Sequence, residues 1–288
     1  MNKTLIIGCG FLGSNILTHL KTKESFVIGT KFQSKIDGFR QLDITNIDSV
    51  NECITEENPD LVINCAANTN LDDLEKNQES ANLVNGYGVE NIAKACKQNF
   101  SRLIHISTDA VFDGKKGLYK EDDKPNPINM YGRSKLLGES LVEKNCNNFL
   151  IVRTNMFGYN KKGNFLFNWV LKSLKEKKQI VGFDDIVFNP LEISFLSSLI
   201  VELGNLKFSG IVHLGSDEII SKFDFCCQIA NIFDLDRKLI KKGSIDDAEF
   251  FATRPKNTSL DNFKAKKLLK TTFPSLKEEI AKVKQQIS

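Results

Sequence analysis

Tyr131 and Lys135 stand four residues apart, the spacing that puts two side chains on one face of a helix. A phenol beside an ammonium is an acid–base pair. The positive charge favours the tyrosinate, and the phenol can give its proton to a carbonyl oxygen while a hydride reaches the carbon. Upstream, Ser107-Thr108-Asp109 closes an apolar run, so a strand-end hydroxyl from Thr108 can stand beside the phenol. Gly8-Cys9-Gly10-Phe11-Leu12-Gly13 has GxGxxG spacing directly after the apolar Leu5-Ile6-Ile7, the pattern of a dinucleotide-binding turn. Gly8 permits the tight turn, Gly10 lets the backbone approach a pyrophosphate, and Gly13 allows close packing of helix on strand. Amides at the start of the following helix, at Phe11 and Leu12, then meet the phosphates.

An acidic residue at the end of the second strand would bind a ribose 2′-hydroxyl. The segment reads Val27-Ile28-Gly29-Thr30-Lys31, with no Asp or Glu before Asp37. Thr30 and Lys31 offer a donor and a cation to a 2′-phosphate, which favours NADP(H), with NAD(H) as the alternative.

The elements that must position these residues are legible as alternating short apolar runs and helical rhythms. Strands are predicted at Leu5–Ile7, Phe26–Gly29, Leu61–Ala67, Arg102–Thr108, Phe149–Arg153 and Ile211–Leu214. Helices are predicted after the glycine turn, over Ala81–Cys96, Tyr131–Asn145, Phe165–Lys178 and Phe223–Phe233, and in the tail, where Leu276, Ile280, Val283 and Ile287 share one face. This alternation predicts an α/β fold, a Rossmann-type doubly wound parallel sheet with a smaller C-terminal substrate-binding lobe. Residues 1–157 would form the cofactor lobe. Residues 158–288 would be mainly the substrate lobe, with some segments returning to the sheet.

Composition excludes several function classes. The 39 Lys and Arg against 36 Asp and Glu leave a net charge of +3, with no clustered basic stripe, so nucleic acid is not an expected partner. With three His and no CxxC pair among seven cysteines, no metal site is expected; the thiols read as reduced, as in a cytoplasmic protein. No apolar run is long enough to span a membrane. The aromatic content is lopsided, 21 Phe against four Tyr, so each tyrosine hydroxyl needs a reason.

The chain resembles the extended short-chain dehydrogenases/reductases. Within them it is most similar to the dTDP-4-dehydrorhamnose reductase group. The resemblance is carried by Gly10-Phe-Leu-Gly13, Leu42-Asp43-Ile44-Thr45, Pro59-Asp60 through Ala67, Val84-Asn85-x-x-Gly88, Ile106-Ser-Thr-Asp109, Val111-Phe-Asp-Gly114, Tyr131-Gly-Arg-Ser-Lys135-Leu-x-Gly138-Glu139, Arg153-Thr154 and Arg254-Pro255 through Asp261. It implies a nucleotide-diphosphate sugar as substrate, reduction of its keto group, and a place in polysaccharide biosynthesis. Thr108, Tyr131 and Lys135 would be hydroxyl, proton donor and activating lysine. Asp43 and Ile44 would hold the adenine end, and Ala66, Ala67 and Asn85 would line the cofactor. Asp109, Asn155 and Arg254 would face the substrate, the guanidinium reaching its diphosphate. A homodimer is expected by analogy.

The chain departs from the group in its glycine turn, usually GxxGxxG. It also departs at Ala110, commonly tyrosine, near Met156, where a tryptophan is usual, and at Asp184-Asp185-Ile-Val-Phe-Asn189-Pro190. Ala110 also stands where a 4,6-dehydratase typically has the glutamate that serves as base, which argues against a dehydratase. An epimerase with tightly held NAD and a non-catalytic regulatory subunit of the same fold are the remaining alternatives.

Overall fold

The computed structural model describes residues 3–22, 26–32, 37–161, 163 and 165–287. The first half runs β1 (Thr4–Ile7), α1 (Phe11–Lys21), β2 (Val27–Lys31), β3 (Arg40–Gln41), α2 (Ile47–Glu57) and β4 (Leu61–Asn64). It continues through α3 (Leu71–Lys76), α4 (Gln78–Asn82), a π-helical turn (Leu83–Tyr87), α5 (Gly88–Gln98), β5 (Arg102–Ile106), α6 (Met130–Asn145) and β6 (Phe149–Thr154). The second half has β7 (Met156–Phe157), α7 (Leu166–Lys175), β8 (Ile180–Phe183), β9 (Val187–Phe188), β10 (Leu191–Glu192), α8 (Ile193–Gly204) and β11 (Gly210–Leu214). Then come β12 (Ile220–Ser221), α9 (Lys222–Ile232), β13 (Ile240–Gly243), α10 (Phe263–Leu269) and α11 (Leu276–Ile287).

The central sheet has seven strands in the order β11-β6-β5-β4-β1-β2-β3, and every pairing is parallel. The chain starts in the middle at β1, runs outward to β3, then returns to β4 on the other side. Strand order therefore reverses between β1 and β4, and a cleft must open beyond their carboxyl ends. Alternation along β1 sends Ile6 to one face and Leu5 and Ile7 to the other, so each face gets its own core. One core packs β-strand residues against α1, α8 and α10; the opposite core packs them against α2, α5 and α6.

The helix α8 has no separate place in the sequence expectation. It is apolar nearly all round, with Ile193, Leu196, Leu199, Ile200, Val201 and Leu203 buried, because it is sandwiched between α1, α10 and the sheet. A helix buried on that many sides carries no two-faced rhythm. The predicted helix 81–96 is interrupted by the π-helical turn, and the predicted strand 61–67 stops at Asn64, leaving Cys65–Ala67 as a loop at the cleft.

A third core, outside the sheet, is built largely on phenylalanine. Phe225 packs against Phe157, Phe167 and Phe188 with ring centroids 5.2, 6.5 and 5.5 Å apart. Helices α7, α9 and α11 surround them. Phenyl rings fill this space without needing hydrogen-bond partners.

The carboxylate of Glu192 caps α8, accepting from the amides of Ser194 and Phe195 at 2.8 and 3.1 Å. Its own amide donates to Glu279 Oε2 on α11 at 3.1 Å. Burial pushes the Glu279 carboxyl up to about 8, opposed by the hydrogen bond from the Glu192 amide and reinforced by the charge of Glu192. A carboxyl whose pKa is raised by folding binds a proton in the native state that the unfolded chain has already released. Stability is then lost as pH rises from the ordinary carboxyl value of 4.5 toward 8, by at most about 1.4 kcal/mol per pH unit. Glu279→Gln should flatten this slope and raise stability at pH 8, read by denaturant titrations at several pH values; an unchanged slope would show that Glu279 is not the titrating group.

Candidate active site

The glycine turn is built as a cradle. Gly8 has φ +85°, and a Cβ there would lie 2.5 Å from the Ala66 backbone, so only glycine fits. A Cβ on Gly10 would meet nothing within 4 Å, so open space lies over the turn where a pyrophosphate would approach. Gly13 is buried in the first turn of α1. Phe11 and Leu12 begin α1, whose N-terminus has no side-chain cap and no acidic residue in its first turn. Its amides are available to an anion, so the residues present fit a dinucleotide.

Thr30 has a task the sequence did not suggest. It is buried at the end of β2, and its Oγ1 accepts the Gly8 amide at 3.2 Å. It braces the turn, which leaves Lys31 the more open of the two. The Lys31 ammonium lies 4.1 Å from the centre of the Phe39 ring. Asp43 accepts from the amide and hydroxyl of Thr45 at 2.9 and 2.7 Å, and Ile44 is buried beside Gly88. Ala66 and Ala67 lie half-buried in the loop after β4, where Asn64 Oδ1 accepts the Ala66 amide.

Asn85 is fully buried in the π-helical turn. Its Nδ2 donates to Asn68 O at 2.9 Å and Ser134 Oγ at 3.1 Å, and its Oδ1 accepts the Asn68 amide at 2.9 Å. These bonds tie the loop after β4 to α6.

The start of α6 is pressed onto the turn that follows β5. A Cβ on Gly132 would collide with Ala110 O, so the missing side chain lets Tyr131 approach Thr108. Asn129 caps the helix through the Gly132 amide at 2.9 Å and donates to Thr253 O at 2.8 Å, joining the helix to the segment bearing Arg254. Burial pushes the Tyr131 phenol up to about 12, opposed by a hydrogen bond with Thr108 and reinforced by the charge of Asp109.

Among the described residues, no lysine charge acts on the phenol from the protein side. Lys135 is buried, and its Nζ donates to Ile106 O at 2.7 Å. Burial lowers its pKa to about 8, against the opposing charge of Glu139. The protein's own groups keep the phenol protonated, which suits a donor.

Glu139, one helical turn beyond Lys135, accepts from Arg153 Nε at 3.0 Å and Nη2 at 2.7 Å, and from the Ser107 hydroxyl. Both charged side chains are almost wholly buried, at 3% and 2% exposure. Arg153 Nη1 approaches His213 Nε2 at 3.4 Å, and His213 Nδ1 donates to Tyr119 O at 2.9 Å. Burial and next the guanidinium hold His213 neutral, with its pKa lowered to about 3. Tyr119 finds its hydroxyl partner in Asp113 Oδ1, at 2.7 Å.

Asp109 is buried beyond Thr108. It accepts from Thr258 Oγ1 at 2.6 Å, Asn155 Nδ2 at 2.8 Å and Thr108 Oγ1 at 3.1 Å. Arg254 Nη2 pairs with Asp72 Oδ1 at 3.0 Å, and its guanidinium lies 4.9 Å from the centre of the Phe250 ring. Sequence reasoning left Thr258, Asp72 and Glu139 without roles. Glu139 was within reach, since its spacing from Lys135 puts both on one helix face; the other two come from distant segments and carry no local signal.

A wholly parallel sheet with a glycine turn after its central strand, and a threonine, tyrosine and lysine gathered at the adjoining strand end, defines an extended short-chain dehydrogenase/reductase. The chain matches the RmlD substrate binding domain family over residues 2–288 and belongs to that family. It is 33% identical over 289 residues to the "probable low-salt glycan biosynthesis reductase Agl14" of Haloferax volcanii, covering 97% of this chain and 96% of that one. It is 29% identical over 286 residues to methionine adenosyltransferase 2 subunit beta of Xenopus tropicalis, covering 92% of this chain and 82% of that one. The crystal structure of dTDP-4-dehydrorhamnose reductase from Bacillus anthracis in complex with NADP matches with a TM-score of 0.91 at 28% identity, covering 99% of this chain and 100% of that one. No helix among the described residues is long and apolar enough to cross a membrane.

Proposed function

We propose that the chain is a ketoreductase that uses NADPH to reduce a keto group on a nucleoside-diphosphate sugar, with dTDP-4-dehydrorhamnose as the first substrate to offer. The observation that carries this is the gathering of Thr108, Tyr131 and Lys135 at the sheet's carboxyl edge, in a family whose crystallised neighbour holds NADP. Bound NADPH would supply the hydride. Gly8, Gly10 and the amides of Phe11 and Leu12 hold the pyrophosphate, Asp43 and Ile44 the adenosine end, and Lys31 the 2′-phosphate. Ala66 and Ala67 line the cofactor, and NAD(H) is the lesser alternative.

Tyr131 gives its phenolic proton to the ketone oxygen, and Thr108 orients that oxygen by a hydrogen bond. Lys135 supplies positive charge beneath the reacting groups. Asp109 and Asn155 meet the sugar, and Arg254 the diphosphate. Residues 1–157 act mainly on the cofactor side and 158–288 mainly on the substrate side. A cytoplasmic location and a homodimeric assembly accompany this function.

Purified protein given NADPH and dTDP-4-dehydrorhamnose should oxidise the cofactor and yield a 4-hydroxy sugar nucleotide, identified by NMR. NADPH binding without oxidation, across a set of 4-keto nucleotide sugars, would overturn the enzyme in favour of the regulatory subunit. Copurifying NAD(H) with no consumption of added NADPH would favour the epimerase.

A further inference from the structure

A buried carboxylate is costly unless donors surround it. Asp109 has three, each from a different part of the chain. Thr108 precedes it at the end of β5, Asn155 stands between β6 and β7, and Thr258 comes from the C-terminal segment 149 positions away. The first two border the reacting groups. Thr258 does not, and its hydroxyl needs a reason.

The backbone around Thr258 is pinned on both sides. On one side the Asn257 amide donates to Gly114 O at 2.9 Å, Tyr119 donates to Ser259 O at 2.9 Å, and Asp261 donates to Tyr119 O at 2.8 Å. On the other, the Thr258 amide donates to Val187 O at 3.1 Å. Asn189 takes both polar groups of Leu260, accepting its amide at Oδ1 and donating from Nδ2 to its carbonyl, each at 2.9 Å. Thr258 is thus held between the loop after β5 and strand β9. Thr258 and Asp109 are both buried, which leaves little room for water to replace the hydroxyl.

The donors divide the carboxylate unequally. Thr258 Oγ1 and Asn155 Nδ2 both reach Oδ2, at 2.6 and 2.8 Å. That leaves Oδ1 for Thr108 Oγ1, at 3.1 Å. With Oδ2 held by two donors, the carboxylate resists rotation and Oδ1 stays on Thr108. Thr108 Oγ1 also accepts the Ala110 amide at 3.1 Å, so the hydroxyl is fixed from two directions next to Tyr131. Its bond to Asp109 is the longest of the three, and so the easiest to exchange for a ketone oxygen.

We propose that Thr258 is a positioning residue for ketone reduction, holding the Asp109 carboxylate so that it presents the Thr108 hydroxyl beside Tyr131. This rests on the ketoreductase reading above. It also makes the C-terminal segment part of the catalytic geometry, at a distance in the chain that no local motif spans.

Burial pushes the Asp109 carboxyl above the ordinary carboxylate range, opposed first by the hydrogen bond from Thr258, then by those from Asn155 and Thr108 and by the charge of Lys222. The titratable groups acting on Asp109 are Lys222 on α9 and Tyr131 on α6. A donor to the ionised carboxylate favours that form, so removing the Thr258 hydroxyl should raise the Asp109 pKa further.

The test is steady-state NADPH oxidation by the full chain with a 4-keto nucleotide sugar, measured across pH. Thr258→Val keeps the shape and removes the hydroxyl. Its kcat should fall about 10- to 100-fold, the loss of one hydrogen bond to a charged group, while NADPH affinity stays where it was. The acid limb of its kcat/KM profile should move to higher pH. Thr258→Ser, which restores the donor, should regain most of the rate and the wild-type limb. An unchanged kcat in Thr258→Val, an acid limb that does not move, or a serine variant as slow as the valine one would overturn the role of Thr258. Each of these leaves the ketoreductase reading intact, because the unaltered protein is active. If the unaltered protein binds NADPH but reduces no 4-keto nucleotide sugar, both fall together.

Discussion

Tyr131→Phe should lower kcat for NADPH-dependent ketone reduction by about 10²–10⁴-fold, the usual contribution of a positioned general acid, with little change in NADPH affinity. The substitution removes one oxygen and keeps the ring that packs beside Leu74, Ala81 and Met130, so the helix start should hold. The effect should be large because the phenol is the protonated group next to Thr108, with its pKa pushed up to about 12. Lys135 Nζ is engaged with Ile106 O. Single-turnover measurements separate the chemical step from product release. A variant retaining more than about a tenth of the wild-type rate would remove Tyr131 from the proton-donor role.

The second large effect concerns stability. Arg153→Met should destabilise the protein by about 3–5 kcal/mol, because it leaves the Glu139 carboxylate buried without its counter-charge. The guanidinium makes three hydrogen bonds to Glu139, and its centre lies 5.2 Å from the middle of the Phe112 ring. A glutamine at 139 removes the orphaned charge. The double variant Glu139→Gln, Arg153→Met should therefore recover much of the loss, since replacing a whole buried pair is often near neutral. Denaturation midpoints of the three variants check this. A single variant within about 1 kcal/mol of wild type would show that water reaches Glu139 and replaces the arginine.

The fold was legible where one strand or helix announces itself locally. The strands β1, β5, β6 and β11 are short apolar runs, and α11 has one clear apolar face. Helix α8 was hidden because its burial on several sides erases the periodicity that local reasoning depends on. At the site, spacing singled out Thr108, Tyr131 and Lys135, and these residues lie at one strand end and helix start. Their electrostatics was not readable, because it depends on which carbonyl the ammonium meets and how much water is excluded. The contacts of Thr258 and Asp72 join side chains from segments far apart in the chain, which spacing within one segment cannot express.

The bond between Thr30 and the Gly8 amide has a consequence for redesign. Strand β2 ends in the pair of residues that would distinguish the two nicotinamide cofactors, and one of that pair also supports the pyrophosphate cradle. A swap at position 30 aimed at changing coenzyme preference would loosen the grip on both coenzymes at once, because the pyrophosphate is common to them. Among the described residues the Lys31 side chain makes no hydrogen bond to the glycine turn, so on the proposed reading selectivity would be altered there while the shared anchor stays in place.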